Sequence, residues 1–264
     1  MPAKVQEDKQ YLNYSVVDGQ LCSKATEQEL ELIEQKKPVS GMFYTTSKDG
    51  KKSYFIKKGL YDEKIVSVSL RDREYDGKSY QTVDLMLKDA FEENNIIHCV
   101  SLPADSMNCQ TLTGILTTIV KNGEQNDVFN FTVTPNRKDG KTYAKFNVFN
   151  VTKNHSVWDW YVKSHQLKAM PSEIKEKYTK DRILPDPKIN AKGEKDYSAI
   201  SDKYNELLFY VVCPVIGSSS FKKRVEALVQ NNPEYKKLYD ENKAKVEKTE
   251  EKKEEKIEDD KDIF

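Results

Sequence analysis

The sequence predicts an α+β protein in which an antiparallel β-barrel with one inserted helix is followed by a mainly helical region. Three observations lead to this class. Residues 41–150 alternate between apolar and polar residues with a period of two, Asp-Gly turns interrupt the alternation, and the composition changes after residue 151. Period-two alternation is typical of strands with one buried face, and Asp-Gly is typical of tight hairpin turns.

One helix is predicted before the strands, at residues 26–37. Thr26 and Glu29 have the three-residue spacing of a capping box, in which each side chain accepts a hydrogen bond from the backbone of the other residue. Pro38 ends this helix because proline has no backbone N–H group to donate. Residues 1–40 are therefore interpreted as an N-terminal extension with a helix.

Three turns of similar sequence organise the strands: SKDGKKSYF, EYDGKSYQT and RKDGKTYAK. In each turn, glycine supplies the positive φ of a tight hairpin, and a lysine, a hydroxyl residue and a tyrosine follow. The strands predicted around these turns span 42–47, 53–58, 63–73, 79–88, 95–102, 127–135 and 142–151.

A helix is also predicted at 105–123, between the fifth and sixth strands, with Asp105 or Ser106 as its cap. One face of this helix carries Leu112, Ile115, Leu116 and Ile119. Short strands, a late helix and a closing hairpin fit an OB-like antiparallel β-barrel with extra strands over residues 41–151. A β-sandwich with one helix would have the same order of elements and stays open as an alternative.

Residues 152–248 are predicted to be mainly helical and either to pack on the barrel or to follow it. The helical region begins at 158–170, and an apolar run at 205–217 fits a buried strand or helix. Two further helices are predicted at 218–232, after serine caps, and at 233–248, which Pro233 opens. Residues 249–264 are expected to be a disordered acidic tail, because they cannot bury enough apolar surface to fold.

The charges balance, with 43 basic and 43 acidic residues and a formal net charge of zero. Proteins that bind nucleic acids are usually basic, so such a function requires the two signs to be separated along the chain. Acidic residues concentrate around the N-terminal helix and at the C-terminus, whereas the turns of the β-rich region carry lysine and arginine. The separation keeps nucleic-acid binding open.

Several other classes are disfavoured. No apolar run reaches the roughly 18 residues needed to cross a bilayer, and the first residues lack the layout of a signal peptide, so a cytoplasmic location is expected. Cys22, Cys99, Cys109 and Cys213 lie far apart without a paired spacing. This distribution argues against both a structural zinc site and a disulfide framework.

Enzyme motifs are also missing from the sequence. It contains no GxxxxGK[ST], GxSxG or HExxH segment. His98, His155 and His165 do not have metal-ligand spacing, and Asp84 and Asp89 form no recognisable two-metal set. We therefore expect no catalysis, no cofactor and no metal site, with an unrecognised nuclease or recombination enzyme as the weakest alternative.

Alternation along the strands identifies candidate residues for binding a nucleic acid strand. Such binding requires cationic groups for phosphates and aromatic faces for bases. In the strand from residue 79, Val83, Leu85 and Leu87 are predicted to face the core, which places Tyr80 on the other side. The candidate stacking residues are Phe55, Tyr80 and Tyr143, and the candidate phosphate contacts are Lys57, Lys58, Arg71, Arg73, Lys78, Arg137, Lys138, Lys141 and Lys145. Tyrosines beside turns also pack across strand pairs, and lysines in turns are commonly only solvated.

The end of the chain carries the most specific signal. Asp259, Asp260 and Asp262 precede Ile263 and Phe264 at the carboxyl terminus. An exposed apolar terminus gains nothing in water, so a purely solubilising tail has no need of these last two residues. A partner-binding role explains them, because Phe264 would enter a pocket while the terminal carboxylate and the aspartates would meet basic side chains.

The segment from Asp259 to Phe264 resembles the C-terminal peptide of bacterial and tailed-phage single-stranded DNA-binding proteins. Lys261 interrupts the acidic run, and Ile263 stands where those proteins usually have proline, which favours a phage-type member. The resemblance implies an OB fold that coats and protects single-stranded DNA during replication, recombination and repair without sequence preference.

The same resemblance implies the role of the tail. In that family it recruits replication and recombination proteins, such as a polymerase, helicase or primase, and competes with DNA for the basic groove when DNA is absent. A phage-type member would act in the host cytoplasm, and a homo-oligomer is compatible with the sequence. The alternative function is that of a phage virion or scaffold protein, which would use the β-barrel for protein–protein contacts.

Overall fold

The computed structural model describes residues 9–92, 95–138, 141–168, 170, 172–176, 178–190, 193–230 and 232–244. The strands are β1 (Gln10–Val17), β2 (Gln20–Lys24), β3 (Met42–Thr46), β4 (Lys52–Lys57), β5 (Leu60–Tyr75), β6 (Lys78–Asp89), β7 (Ile96–Pro103), β8 (Val128–Lys138), β9 (Lys141–Asn150), β10 (His155–Val157), β11 (Val162–Lys163), β12 (Ile183–Leu184), β13 (Lys188–Ile189) and β14 (Lys195–Asp196). The helices are α1 (Glu27–Glu34), α2 (Met107–Lys121), α3 (Ser164–Lys168), α4 (Ser172–Lys175), α5 (Ser198–Leu207), α6 (Cys213–Ile216), α7 (Ser219–Val229) and α8 (233–244). A 3₁₀ turn spans Lys180–Arg182, and a π turn spans Leu208–Val212.

The described residues divide into two compact units, one within residues 9–112 and 125–158 and the other within residues 113–124 and 159–244. The first unit contains a sheet with the strand order β10-β9-β8-β5-β6-β7-β1-β2-β4-β3. Its neighbours pair antiparallel except for β1 and β7, which are parallel. The α+β class is thus confirmed.

The sheet is open. In the part of the chain that the structure describes, β10 and β3 form its two edges and do not pair with each other. The closed barrel expected from the sequence is therefore not confirmed.

The central strand β5 pairs with β6 along most of its length and with β8 through its first residues. The register with β6 shifts between Ile65 and Ser67, so that Val66 bulges out of the ladder. A bulge bends a strand and increases its local twist. The outer parts of the β5–β6 and β8–β9 hairpins extend beyond the region where β5 and β8 pair.

The core of the first unit contains the predicted apolar residues of β6. Val83, Leu85 and Leu87 are buried, which confirms their assignment. Thr82, Asp84 and Met86, which alternate with them, are also buried. The middle of β6 is therefore covered on both faces, a feature that simple alternation did not predict.

A hairpin of β1 and β2 joins the same sheet, and the sequence analysis missed it. Asp18 and Gly19 both have positive φ, at 46° and 71°, which is the conformation of a type I′ turn. A Cβ atom on Gly19 would lie 2.8 Å from Cγ2 of Thr142 and 2.9 Å from Cα of Pro135. The turn thus lies directly against the β8–β9 hairpin and requires glycine at this position.

The N-terminal helix α1 has the predicted capping box. The backbone N–H of Thr26 donates to Oε2 of Glu29 at 2.7 Å, and the backbone N–H of Glu29 donates to Oγ1 of Thr26 at 3.3 Å. The cap satisfies two backbone donors that have no partner within the helix.

The second unit is mainly helical. The apolar run at 205–217 continues α5 through the π turn into α6, with Leu208, Val211 and Val212 buried. The predicted cap is confirmed, since Oγ of Ser218 accepts the backbone N–H of Phe221, and the next helical segment begins at Pro233. The helix expected to begin near Trp158 starts only at Ser164.

Candidate nucleic-acid interface

The β5–β6 hairpin gathers basic and aromatic side chains on one face. Asp76 and Gly77 form its turn with φ of 52° and 68°, as the Asp-Gly pattern predicted. Arg73 pairs with Tyr80, and Tyr75 pairs with Lys78. Because paired residues share a face and successive residues alternate, one side of the hairpin carries the set that we call the arginine–tyrosine face. It consists of Arg71, Arg73, Tyr75, Lys78 and Tyr80.

Carboxylates occupy the opposite side of the same hairpin. Asp72 and Glu74 alternate with the arginines, and Asp72 accepts a hydrogen bond from the side chain of Gln81 at 2.8 Å. Asp72 and Glu74 therefore lie on one face of the hairpin, and its arginines and Lys78 lie on the other face. Such a separation was needed for nucleic-acid binding in a chain whose formal net charge is zero.

One carboxylate lies on the arginine–tyrosine side, and it is fully buried. Oδ2 of Asp84 accepts Nε of Arg71 at 3.1 Å and Nη2 of Arg73 at 3.0 Å, and Oδ1 accepts the hydroxyl of Ser101 at 2.6 Å. Nε of Arg73 also donates to Oγ1 of Thr82 at 3.3 Å. Two guanidinium groups share one carboxylate, so this group of charges remains net positive.

The arginines and tyrosines of this face are accessible. The side chains of Arg71 and Arg73 are 47% and 40% exposed, and Tyr75 and Tyr80 are 76% and 44% exposed. Each guanidinium has five N–H donors, of which the contacts to Asp84 and Thr82 use only a part. The remaining donors can bind phosphate, and the exposed rings can stack on bases.

The neighbouring β8–β9 hairpin adds a second polar surface. Tyr143 pairs with Asn136 and is half-buried, whereas Lys145 pairs with Thr134 and is exposed. The strands β8 and β9 contain no acidic residue. Arg137 pairs with Thr142 and therefore lies on the side opposite Tyr143 and Lys145, apart from the other candidates.

The candidates on β4 lie elsewhere in the sheet. Strands β7, β1 and β2 separate β4 from β6. Phe55 is half-buried and stacks on Phe43 with ring centroids 5.6 Å apart, while Lys57 is exposed and Lys58 half-buried. The structure thus brings Arg71, Arg73, Lys78 and Tyr80 together but does not place Phe55, Lys57 or Lys58 beside them.

Several predicted residues fall outside the part that the structure describes. The side chains of Lys138 and Lys141 do so, and so do the partner-binding residues Asp259, Asp260, Asp262, Ile263 and Phe264. Residues 249–264 contain eight acidic and four basic residues. Because the whole chain is neutral, residues 1–248 carry a net charge of +4.

Two residues of this surface were missed by the sequence analysis. Tyr75 has the same parity as Arg71 and Arg73, so alternation alone could have identified it. Asp84 gave no local signal, because its role depends on the register that brings β5 and β7 to its two sides. Burial and the charge of Asp84 raise the pKa of the neighbouring Cys99 thiol to about 11, although Arg71 and Arg73 oppose this shift. The thiol is therefore protonated at neutral pH and is a poor nucleophile.

A histidine–carboxylate pair lies in the same sheet. Nδ1 of His98 is 2.5 Å from Oε1 of the buried Glu63, and the His98 ring meets that of Tyr14 edge-on. The hydrogen bond to Glu63 raises the pKa of His98 above its usual value, although burial opposes the shift. Within the described ranges no group of three or more His, Cys, Asp or Glu side chains is arranged to hold a metal ion.

The second unit contains a polar cluster around Asp159. Oδ1 of Asp159 accepts the backbone N–H of Tyr161, and Oδ2 accepts the hydroxyl of Tyr204, both at 3.0 Å. The carboxyl group packs so closely on Gly114 of α2 that a Cβ there would lie 1.8 Å from Oδ1. Burial raises the pKa of Asp159 to about 7 against the opposing effect of these hydrogen bonds and of Arg182.

The same cluster holds Arg182 between two rings. Its guanidinium carbon lies 3.8 Å from the ring centroid of Trp160 and 4.6 Å from that of Tyr178, and its Nε donates to the carbonyl of Trp160 at 2.9 Å. Both oxygens of Asp159 already accept protein donors. We interpret the cluster as a packing element of this unit.

Comparison of the chain with protein-family models, curated proteins and solved structures gives no significant match. No described helix combines the length and apolar character required to span a membrane.

Proposed function

We propose that this protein binds single-stranded DNA without sequence preference and recruits partner proteins through its acidic C-terminal tail. The arginine–tyrosine face is the observation that carries the proposal. It offers two accessible guanidinium groups and two exposed tyrosine rings on one hairpin, while Asp72 and Glu74 of that hairpin lie on the other side. These groups match the phosphates and bases of an unpaired strand.

The order of elements supports an OB-like architecture for this unit. The strands β5, β6 and β7 follow one another, α2 comes next, and the β8–β9 hairpin follows. β5 pairs with both β6 and β8, as the first strand of an OB fold pairs with the second and the fourth. In that fold, which is a partly open barrel, the loops between strands 1 and 2 and between strands 4 and 5 bind oligonucleotides. The corresponding hairpins here carry Arg73 with Tyr80, and Tyr143 with Lys145.

Phosphates and bases would contribute in different ways. Neutralising phosphates releases counterions, which makes the affinity fall as salt rises. Stacking a base on an aromatic side chain contributes roughly 1–3 kcal/mol and tolerates any base. We therefore expect binding that depends strongly on salt and weakly on sequence.

Fluorescence anisotropy of labelled oligo(dT) at two salt concentrations tests the proposal. The double variant Tyr80→Ala/Tyr143→Ala should bind more weakly by roughly 1–3 kcal/mol, because it loses stacking surface without losing charge. A matched control replaces two exposed tyrosines outside this surface, Tyr44 on the edge strand β3 and Tyr197 in the second unit, with alanine. Equal affinities of both double variants would remove the stacking surface from the proposal, and failure of the wild type to bind oligo(dT) would reject the function.

Removing the tail tests the second half of the proposal. A chain lacking Glu258 to Phe264 should bind oligo(dT) as tightly as the full chain or more tightly, because an acidic competitor for the cationic surface is gone. It should also lose binding to a replication protein of the polymerase, helicase or primase class that the full chain captures. Substituting only Phe264 with alanine preserves every charge and should lose the same capture. Loss of DNA binding on truncation would contradict the model.

A virion or scaffold role is the alternative that these measurements separate. A protein of that kind would show no salt-dependent affinity for oligo(dT). Its affinity for oligo(dT) would also be unchanged by alanine at Tyr80 and Tyr143.

A further inference from the structure

We propose that Asp84 is a positioning residue that holds Arg71 and Arg73 ready to contact two successive phosphates of the bound strand. This inference rests on the proposed function and names the group that organises its cationic part. Asp84 does not touch the DNA in this scheme. It acts through the two arginines.

The geometry links both arginines to one atom. Arg71 and Arg73 are two residues apart on β5, so their backbones are separated by about 7 Å along the strand. Their guanidinium groups nevertheless meet at Oδ2 of Asp84, at 3.1 Å and 3.0 Å. The other oxygen, Oδ1, accepts the hydroxyl of Ser101 on β7. The carboxylate is thus fixed by a neighbouring strand and in turn fixes two side chains that reach the surface.

The energetics favour a role beyond packing. A charge at a fully buried position of a central strand is costly unless it is paired, and an apolar residue of similar volume often serves stability as well or better. A free arginine side chain loses about 2 kcal/mol of rotamer entropy when it is held in one conformation. Asp84 has already ordered Arg71 and Arg73 before DNA arrives, so less of that entropy is lost on binding.

The substitution Asp84→Asn distinguishes a positioning role from a purely electrostatic one, because the two roles predict opposite changes in DNA affinity. Removing a carboxylate beside a cationic surface would on its own tighten DNA binding. If Asp84 positions the arginines, the variant should instead bind oligo(dT) about tenfold more weakly, since charge-assisted contacts to phosphate lose their geometry. The measurement is anisotropy of oligo(dT) across a salt series.

The salt dependence supplies a readout that a merely structural role would not move. The logarithm of the binding constant falls linearly with the logarithm of the salt concentration, and each phosphate contact of a single strand adds about 0.7 to the steepness of that fall. The double variant Arg71→Gln/Arg73→Gln should therefore reduce the steepness by about 1.4. The salt dependence of Asp84→Asn should be nearly as shallow as that of the double variant, although Asp84→Asn retains both arginines. Unchanged or tighter binding with an unchanged slope would overturn the proposal.

A second variant keeps the test decisive if Asp84→Asn does not fold. Thr82→Val preserves shape and every charge but removes the acceptor of Nε of Arg73. It should weaken binding about two- to threefold, whereas Thr45→Val on the edge strand β3 should not. Equal binding by these two threonine variants would count against positioning. A third outcome separates this inference from the proposed function. If Arg71→Gln/Arg73→Gln binds oligo(dT) more weakly than the wild type but Asp84→Asn binds it as tightly as the wild type, the DNA-binding function stands and only the positioning role of Asp84 is wrong.

Discussion

The Asp159→Asn variant should be more stable than the wild type at pH 8 and should lose most of that advantage below pH 5. The folded pKa of Asp159 is about 7, above its ordinary value of 3.8, because the carboxyl group is buried. A raised folded pKa gives a stabilising contribution that is fully present below the unfolded pKa and is lost as pH rises through the folded pKa. The contribution therefore disappears between about pH 4 and pH 7 and amounts to about 4 kcal/mol.

Urea unfolding of both proteins from pH 4 to pH 8 measures this effect. His98, whose pKa is also raised, changes stability in the same direction, but it does so in both proteins and cancels in their difference. Asparagine preserves an acceptor for the backbone N–H of Tyr161, so the local turn can persist. A difference between the two proteins that does not change with pH would show that the pKa of Asp159 is the same in the folded and unfolded states.

Replacing Gly114 with alanine should destabilise the protein by about 1–3 kcal/mol, although alanine is intrinsically the better helix residue by about 1 kcal/mol. Gly114 lies inside α2, and a methyl group there would overlap Oδ1 and Cγ of Asp159 at 1.8 Å and 2.5 Å. Avoiding that overlap requires the carboxyl group to leave its buried position or the helix to shift. Thermal unfolding monitored by circular dichroism measures the loss.

A double-mutant cycle identifies the cause of that loss. In an Asp159→Ala background the atoms that collide are absent, so Gly114→Ala should be close to neutral. Thr111→Ala in the same helix serves as a control for a substitution to alanine away from Asp159, and it removes only the hydrogen bond from Oγ1 of Thr111 to the carbonyl of Met107. Should Gly114→Ala prove as costly without the Asp159 carboxyl group as with it, the packing explanation would be wrong.

The strands of residues 41–150 could be predicted because their signals are local. Asp76-Gly77 fixes a hairpin through its own φ angles, and the alternation beside it determines which residues share a face. The hairpin at Asp18-Gly19 gave the same kind of signal between Val17 and Gln20 and could have been found too. Its place in the sheet could not, because β1 pairs in parallel with β7, more than eighty residues away.

The candidate site was predictable only in part, because its contacts also depend on pairing between distant strands. Arg71, Arg73 and Tyr80 could be proposed from alternation, but their convergence on Asp84 depends on the register between β5 and β6. The helix expected from Trp158 failed to form there because Asp159 binds the backbone N–H of Tyr161, a local contact that competes with helical hydrogen bonds. Long-range strand pairing and buried polar contacts determine these features, and neither can be read from local residue patterns.

The close approach of Gly19 to Thr142 and Pro135 has a consequence for the orientation of the β8–β9 hairpin. The Asp18-Gly19 turn packs against the outer part of the β8–β9 hairpin, close to the turn of that hairpin and beside Tyr143. Any side chain at position 19 would displace that hairpin without changing the identity of any residue proposed to contact DNA. A substitution at residue 19 would therefore change the orientation of Tyr143 and Lys145 relative to the rest of the proposed interface, although residue 19 is not one of the proposed contacts.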